Sequence, residues 1–532
     1  MNSGRIFKNS RITKDSIFGI FDPLNCIIEL NKNIYSRLVN LGEFDRETML
    51  AAGTFLHETI HWWQSAGTTL GFITTIAYSA QKIMNIYGLK RLESKSLYKK
   101  PFKELAYEAN KLNLSNNDLA SINIIFNNWI DMDCAMQLIC SPRNAKIPNG
   151  LFENFGHSLF ILLNAFYETL NTSFDSNFPI SYNHENWRGY FKDQKKKKIT
   201  NYYYGSQLIN SEFGLVDLFE SHARLSELQF YSEIISPEID YWSKKGFLGS
   251  YYTKPFDYFL KKIQYNKPKS ILDPIVFLYL LIVDISLNPA IGYPKEIQAG
   301  SDFISKFHPG FRFQKLVNFA STNKNLISNL NEFDSKSCKT LCKILCDGIQ
   351  EETPWEIANH LWLAYLKSNL FQNLETEYKE NTYSEKNLPN RLIFSRHIKL
   401  MEEKAKNYEF FVWPGYYMTH VNKKSLPKSE IHRIIDTHRA PFNYSHEKNA
   451  IGYMHPLNTK FEESNNIVTS YFLFQMLGDL ISQWIELPGP FTYDYQWVDS
   501  KHSSQYYEKH LKEHFKVNFG IDLDRISYKN VV

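Results

Sequence analysis

The chain has 532 residues, 43% of them hydrophobic, which is enough apolar material for one large core or two domains. Its 60 basic and 56 acidic side chains leave a formal charge of +4, so charge gives no reason to expect nucleic acid or an anionic membrane as a partner. Six cysteines in so long a chain do not make a disulfide framework, which favours a reducing compartment, the cytoplasm.

Two segments bear on membrane targeting. Residues 1–21 carry basic side chains but lack the apolar run of a signal peptide before Asp22 breaks the pattern. The most apolar stretch, residues 271–287, contains two aspartates and offers only about a dozen uninterrupted apolar positions, whereas a membrane span needs roughly 20. We predict a buried helix at this stretch and no membrane partner.

Helical periodicity dominates the chain. Residues 16–31 are the exception, because their apolar positions fit two short strands on either side of a turn at Asp22 and Pro23. Three polar segments lack an apolar face and predict loops: 193–200, 377–390 and 420–430. The pattern predicts a mainly α fold, of the α+β kind, with a small N-terminal β-sheet.

The motif His57-Glu58-x-x-His61 lies in a segment that predicts a helix. Residues 45–64 contain no proline, and Asp45 is a favourable N-cap residue, so a helix of about five turns is expected. Two histidines four residues apart then share one face and can bind one metal ion. Glu58 lies beside them, where a carboxylate can take a proton from a metal-bound water and pass it to a leaving amine.

Two interpretations of this motif compete. A helix with two hydrogen-bonded histidines needs no metal, but the pattern arises by chance only about 0.03 times in a chain of this composition. The histidines also border an apolar stripe that must be buried, and buried imidazoles need partners, which a metal provides. Gly53, costly in a helix by about 1 kcal/mol, indicates that another backbone or a substrate passes close by. We therefore predict a metal site.

A third ligand must come from elsewhere, because two side chains do not hold a catalytic zinc. Residues 211–235 predict another helix, in which Glu220 and His222 lie about 200° apart around the axis, so at most one of them faces the histidines. We select Glu220. An exposed ion pair between Glu220 and Arg224 is the alternative that requires no metal.

Two more residues of this second helix support the choice. Ala223 is small enough to let the helix approach the histidine helix closely, and Glu227, on the same face as Glu220, could orient a metal ligand from behind.

The motif His57-Glu58-x-x-His61 with a glutamate on a later helix resembles the gluzincin branch of the zincin metallopeptidases. The resemblance implies a zinc ion held by His57, His61 and Glu220, with Glu58 as general base. The patterns HETIHWWQSAGTT and FESHAR are also similar to uncharacterised bacterial proteins with His-Glu-x-x-His, an aromatic residue and Gln, followed by Glu-x-x-Ala. The gap between the two motifs is far longer than in thermolysin-like enzymes. Metzincins are excluded, because the segment WWQSAG after His61 has Gln64 where their motif has its glycine and Gly67 where it has its third histidine.

The resemblance also implies a layout. We expect a zincin-like catalytic region over residues 1–240 and a helical C-terminal region over residues 241–532 that walls the cleft. In zincins an edge strand above the active-site helix aligns an extended substrate, and residues 25–31 are the predicted strand here.

The densest histidine cluster holds His432, His438, His446 and His455. Its spacing fits no common ligand template, so it predicts a polar, aromatic-rich loop rather than a second metal cage. A peptidase needs a donor that stabilises the tetrahedral oxyanion, and we predict Tyr453 or His455 for this role, although Tyr444 and His438 fit equally well.

Three cysteines, Cys338, Cys342 and Cys346, fall on one face of a predicted helix. Their spacing differs from the C-x3-C-x2-C loop of radical enzymes that use S-adenosylmethionine, so we predict buried packing residues.

The sequence as a whole predicts a zinc-dependent metallopeptidase, a selective cytoplasmic protease that hydrolyses peptide bonds with a zinc-bound water activated by Glu58. Its partner is a peptide or protein substrate, and no nucleic acid is expected. Two alternatives stay open: a non-catalytic helical binding or scaffold protein with a structural metal or none, and a zinc hydrolase of non-peptide amides.

Overall fold

A computed structural model shows a mainly helical protein with a small β-sheet, which confirms the predicted fold class. The structure describes residues 18–39, 45–92, 95–148, 150–174, 184–297, 300–329, 333–383, 387–420, 426–454, 461–462 and 466–528.

The strands are β1 (Gly19–Asp22), β2 (Ile27–Leu30), β3 (Lys99–Lys100), β4 (Phe442–Ser445), β5 (Ala450–Met454), β6 (Phe461–Glu462) and β7 (Ser527–Tyr528). The helices are α1 (Lys32–Val39), α2 (Arg46–Gly67), α3 (Thr69–Lys90), α4 (Phe102–Glu108), α5 (Asn116–Cys140), α6 (Phe155–Phe174), α7 (His184–Lys196), α8 (Leu215–Tyr231), α9 (Ile239–Lys244), α10 (Ser250–Ile263), α11 (Pro274–Leu287), α12 (Phe303–Phe307), α13 (Pro309–Thr322), α14 (Ser335–Ile349), α15 (Pro354–Leu366), α16 (Asn369–Glu380), α17 (Leu388–Lys406), α18 (Tyr408–Val412), α19 (Pro414–Thr419), α20 (Lys428–Thr437), α21 (Asn466–Glu486) and α22 (Ser504–Phe519).

The main sheet combines strands from both ends of the chain, in the order β1-β2-β4-β5-β6. β1 and β2 form the predicted antiparallel pair, and β2 then pairs in parallel with β4. β2 is therefore an interior strand, so the prediction that residues 25–31 form the substrate-aligning edge is wrong. Among the described strands, β1 is the edge on that side. The two predicted regions, 1–240 and 241–532, share this sheet.

Two polar segments are more regular than their composition suggests. Part of the histidine-rich segment forms the antiparallel pair β4 and β5 rather than the predicted loop, and every residue of β5 is buried. Of the segment 193–200, the first four residues continue α7. In 377–390 and 420–430 the described residues 381–383, 387, 420, 426 and 427 lie outside helices, whereas α16 extends to Glu380, α17 begins at Leu388 and α20 begins at Lys428.

Helix α2 begins where the sequence predicts, because Asp45 caps it. The Asp45 carboxylate accepts a hydrogen bond from the Thr48 backbone N–H at 2.7 Å. The helix continues to Gly67, and the Thr68 hydroxyl then caps α3 by accepting from the Gly71 N–H at 3.1 Å. α2 packs against α3, α8, α17 and β1, so nearly all of its side chains beyond the first two turns are buried.

Residues from the second half of the chain fix the C-terminal end of α2. Trp62 and Trp63 both donate their indole N–H to the His438 carbonyl, at 3.1 and 2.8 Å. His397 Nδ1 donates to the Ala66 carbonyl at 2.7 Å. Tryptophan indoles need such acceptors when they are buried, so these contacts hold the end of α2 in one place.

The most apolar stretch is a buried helix, as predicted. Residues 275–287 of α11 are all buried, and its Asp284 pairs with Lys404 at 3.2 Å. Within the described residues, no helix combines the length and the apolar character that crossing a bilayer demands.

The three clustered cysteines pack in the core, also as predicted. Cys338, Cys342 and Cys346 are buried on α14, and all are free thiols.

Gly53 makes room for an aromatic ring rather than for a passing backbone. A Cβ atom at Gly53 would lie 2.2 Å from the Tyr231 hydroxyl and from its ring. This hydroxyl donates to the Leu50 carbonyl at 3.0 Å, so Tyr231 joins α8 to α2 at this glycine.

We expect Gly53→Ala to lower the free energy of unfolding by about 1–3 kcal/mol, because the added methyl group forces Tyr231 and α8 to move. Gly189→Ala on α7 is the matched control, since a Cβ there meets open space; it should leave stability unchanged or raise it by up to about 1 kcal/mol. Urea denaturation measures both variants, and equal stabilities would contradict the close approach of the two helices.

Candidate metal centre

Three side chains from two helices converge on one point. His57 and His61 extend from α2, one turn apart, and Glu220 extends from α8. The two imidazole Nε2 atoms lie 3.1 Å apart, and Glu220 Oε2 lies 3.7 Å from His57 Nε2 and 3.6 Å from His61 Nε2. Within the described part of the chain, these three side chains are the group that could hold a metal ion together. The structure thus brings the predicted ligands to one place.

The outer nitrogens of both histidines are already engaged. Glu227 Oε2 accepts from His57 Nδ1 at 3.1 Å, and Gln64 Oε1 accepts from His61 Nδ1 at 2.8 Å. Gln64 Nε2 donates to the Phe219 carbonyl at 3.1 Å, which turns the amide oxygen towards His61. Each neutral imidazole therefore carries its proton on Nδ1. The two Nε2 atoms then face one another and the Glu220 carboxylate, an arrangement that either a bound proton or a metal ion stabilises.

The donor set and its spacing fit zinc. Imidazole nitrogen and carboxylate oxygen are common zinc ligands, and tetrahedral bonds of about 2.0–2.2 Å separate ligand atoms by about 3.3–3.6 Å. The observed separations of 3.1 to 3.7 Å lie on either side of this range. The side chains of His57 and His61 are 7 and 11% exposed, whereas Glu220 is 22% exposed. The site is therefore open on the Glu220 side, where water or a substrate can enter.

Charge in the site favours a bound cation. Burial lowers the pKa of His57, but hydrogen bonds to Glu220 and Glu227 outweigh burial and raise this pKa to about 9. Burial also opposes the ionisation of Glu220, but the two histidines hold its pKa far below the usual range. Without a metal ion, His57 holds an additional proton at neutral pH. A metal ion that replaces this proton would bind an ionised carboxylate and neutral imidazoles.

Glu58 lies next to the ligands and against the edge strand. It is 6% exposed, and burial raises its pKa against the opposing influence of His57 and His61. A Cβ atom at Gly19 of β1 would come within 3.1 Å of Glu58 Oε1, so the carboxylate faces this strand. No described residue donates a hydrogen bond to it. Its oxygens are therefore available to accept a proton.

Glu227 is held ionised behind His57. Burial opposes its ionisation, but Arg224, which donates to Oε2, and His57 together lower its pKa. The Tyr231 hydroxyl donates to Oε1 at 2.8 Å. The Arg224 guanidinium also lies over the ring of Tyr252, 4.3 Å from its centroid, and this ring is nearly perpendicular to the His57 imidazole, with the two centroids 6.3 Å apart. Glu227 can thus orient His57 and increase its basicity, as carboxylates behind zinc-binding histidines do.

The alternatives weighed for α8 are resolved by these contacts. His222 is not among the converging ligands: it donates from Nε2 to the Val412 carbonyl at 3.1 Å, and its Nδ1 lies 3.4 Å from Gln64 Nε2. Arg224 binds Glu227, so the alternative pair of Arg224 with Glu220 does not form.

Sequence reasoning found Glu227 but missed the other residues that support the metal ligands. Three of these supporting contacts follow helical spacing and could have been found, since residues three or four apart on a helix are neighbours. They join His61 to Gln64, Arg224 to Glu227, and Glu227 to Tyr231. Tyr252 comes from a different helix, α10, and no local pattern identifies it.

Of the two predicted oxyanion donors, the structure describes only Tyr453. Tyr453 is fully buried on β5, and its hydroxyl accepts from Arg396 Nη2 at 3.3 Å. His455 lies outside the described residues. Their role in catalysis stays a prediction.

The other clustered histidines bind separate partners. His438 Nε2 lies 3.3 Å from a Glu403 carboxylate oxygen, and His446 Nε2 donates to the Leu30 carbonyl at 2.6 Å. His432 is exposed. These described histidines therefore do not form a second metal cage.

No protein-family model, curated protein or solved structure matches the chain. The resemblance to gluzincins rests on the two motifs, and a functional assignment rests on the geometry of this site.

We expect the purified protein to hold about one zinc ion per chain and Glu220→Ala to lose it, because two histidines alone bind zinc weakly. Glu212→Ala, which removes an exposed carboxylate in the loop before α8, is the matched control and should retain zinc. Elemental analysis after dialysis measures both. Equal zinc in Glu220→Ala and the unmodified protein would exclude Glu220 as a ligand.

The Gln64→Leu substitution should weaken zinc binding by about 10- to 100-fold, because His61 loses the acceptor that fixes its proton on Nδ1. Gln64→Glu keeps an acceptor of similar size and should retain most of the affinity. Competition with a chromogenic chelator gives both dissociation constants. If the leucine variant bound zinc as tightly as the unmodified protein, Gln64 would have no orienting role.

Proposed function

We propose that this chain is a zinc-dependent metallopeptidase, with zinc held by His57, His61 and Glu220 and with Glu58 as general base. One observation carries the proposal: three electron-pair donors meet at a point, while both outer imidazole nitrogens are already bonded. Structural zinc sites are usually closed by four protein ligands, whereas catalytic sites have three and stay open. Three donors and an opening beside Glu220 favour the catalytic kind.

Bound zinc would polarise the substrate carbonyl and lower the pKa of a coordinated water towards about 7. The side chains of the protein supply the remaining steps. Glu58 takes a proton from the attacking water as its oxygen bonds to the carbonyl carbon. The same carboxyl group then gives that proton to the amide nitrogen as the carbon–nitrogen bond breaks, so the products are a carboxylic acid and an amine.

Strand β1 is suited to align an extended substrate. It is an edge of the sheet among the described strands, and its first residue, Gly19, lies against Glu58. A peptide that adds to a sheet edge through backbone hydrogen bonds would pass beside the catalytic carboxylate. This feature favours a peptide over a small amide as the substrate.

The proposal includes a cytoplasmic location and a restricted set of substrates. The cysteines are free and buried, which suits a reducing compartment. Helix α17, which packs against α2 from the part of the chain beyond residue 240, would restrict access to the site.

We expect Glu58→Gln to reduce peptide cleavage by at least about 100-fold while zinc content stays unchanged, because the amide keeps the shape of the side chain but accepts no proton. Cleavage of a mixed peptide library, followed by mass spectrometry, is compared with elemental analysis of the same samples.

The matched control is Glu108→Gln, an exposed glutamate at the end of α4, which should cleave normally. A zinc-loaded protein that cleaves equally well with glutamine at position 58 would contradict the assignment of the base. Zinc without cleavage in any variant, the unmodified protein included, would favour a scaffold with a structural metal.

A further inference from the structure

A cavity of about 610 Å³ lies along α2 on the N-terminal side of the metal ligands. This volume is within the range of about 300–1,000 Å³ that is usual for sites binding small ligands. Six apolar or partly apolar side chains line it: Phe18, Ile34, Leu50, Thr54, Tyr231 and Phe247.

Several residues of the cavity wall adjoin the residues that hold the catalytic groups in place. Thr54 and Leu50 lie on the same stripe of α2 as His57, about 4.5 and 10.5 Å before it along the axis, at 1.5 Å per residue. On another wall, the Tyr231 hydroxyl binds the carboxylate that orients His57. On a third, Phe18 directly precedes Gly19, the residue of β1 that lies against Glu58.

The charges around the cavity select against an acidic occupant. Its charged lining residues, Arg37 and Glu47, are bound to each other and are largely exposed, so they belong to the rim. Asp45 lies 3.5 Å from the same arginine, which leaves the rim with one cation and two anions. The deeper lining residues, such as Thr54 and Tyr231, carry no charge and are buried.

We infer that this cavity is the specificity pocket of the proposed peptidase and takes a large apolar side chain, of leucine or phenylalanine type, from a substrate residue close to the scissile bond. The inference rests on the proposed function. An extended peptide advances about 3.3 Å per residue, so a pocket 4.5–10.5 Å along α2 receives a side chain within about three positions of the metal. Burial of that side chain supplies the selectivity.

Dipeptide hydroxamates test the pocket without requiring cleavage, because the hydroxamate group binds zinc and the side chains probe the neighbouring space. The probes are acetohydroxamate and dipeptide hydroxamates that carry glycine, leucine, phenylalanine or aspartate at either position. Isothermal titration of the zinc-loaded protein measures their affinities. We expect the leucine or phenylalanine compounds to bind about 10- to 100-fold tighter than the glycine compound at one of the positions. The aspartate compound should bind no tighter than glycine.

Two variants of the cavity wall locate the effect. Ile34→Trp fills the cavity from α1 and should bring the leucine, phenylalanine and glycine compounds to within about threefold of one another. Ile34→Ala removes apolar wall instead and should weaken the leucine and phenylalanine compounds alone. Ile124→Trp on α5 is the matched control, since Ile124 is exposed outside the cavity; it should retain the preference. Acetohydroxamate should bind all three variants as it binds the unmodified protein.

The outcomes separate the pocket from the metal centre. If no hydroxamate binds, acetohydroxamate included, both the pocket and the proposed function are overturned. If acetohydroxamate binds but side chains make no difference, or aspartate is preferred, the pocket is overturned and the proposed function stands. A preference that survives Ile34→Trp also overturns the pocket.

Discussion

The structure depends on one electrostatic constraint: three electron-pair donors from two helices are brought within 3.1 to 3.7 Å of one another. Such an arrangement is repulsive unless a proton or a metal ion lies between the donors, because each outer imidazole nitrogen already bonds to a neighbouring side chain. A metal ion at this point would link α2 to α8 across more than 150 residues of sequence. Binding of such an ion is coupled to folding, so part of its binding free energy would stabilise the contact between these helices.

The contact between α2 and α8 also explains residues that take no direct part in the site. Gly53 admits the Tyr231 ring, and this tyrosine holds Glu227 in place behind His57. The buried Glu227 would be costly to ionise by itself, but Arg224 lies one turn earlier and compensates its charge. The Glu227 carboxylate is therefore matched by the Arg224 guanidinium and by hydrogen bonds from His57 and Tyr231, as a buried charge requires. The result is a histidine of fixed proton position and fixed orientation.

The parts predicted from sequence are those set by local spacing. Asp45 as the helix cap, the shared face of His57 and His61, and the rule that at most one of Glu220 and His222 faces them all follow from helical geometry within a few residues. Errors arise where distant segments meet. The pairing of β2 with β4 joins residues more than 400 positions apart. Because of this pairing, β2 is an interior strand, and β1 is the edge strand on that side among the described residues. Tyr252 reaches the site for the same reason, through tertiary packing that no short pattern encodes.

Helix α2 is anchored unequally at its two ends, and this asymmetry suits a site that must hold a metal firmly and still admit a substrate. The C-terminal end is bound by His438 and His397, both from the second half of the chain, within two turns of the metal ligands. His397 stays neutral, since burial lowers its pKa to about 3, so this anchor does not change with physiological pH. The N-terminal end instead faces the cavity and the largely exposed helix α1. The position of α2 is therefore fixed most firmly at the end that carries the metal ligands, which must be preorganised. The cavity lies at the other end, where a substrate side chain must enter.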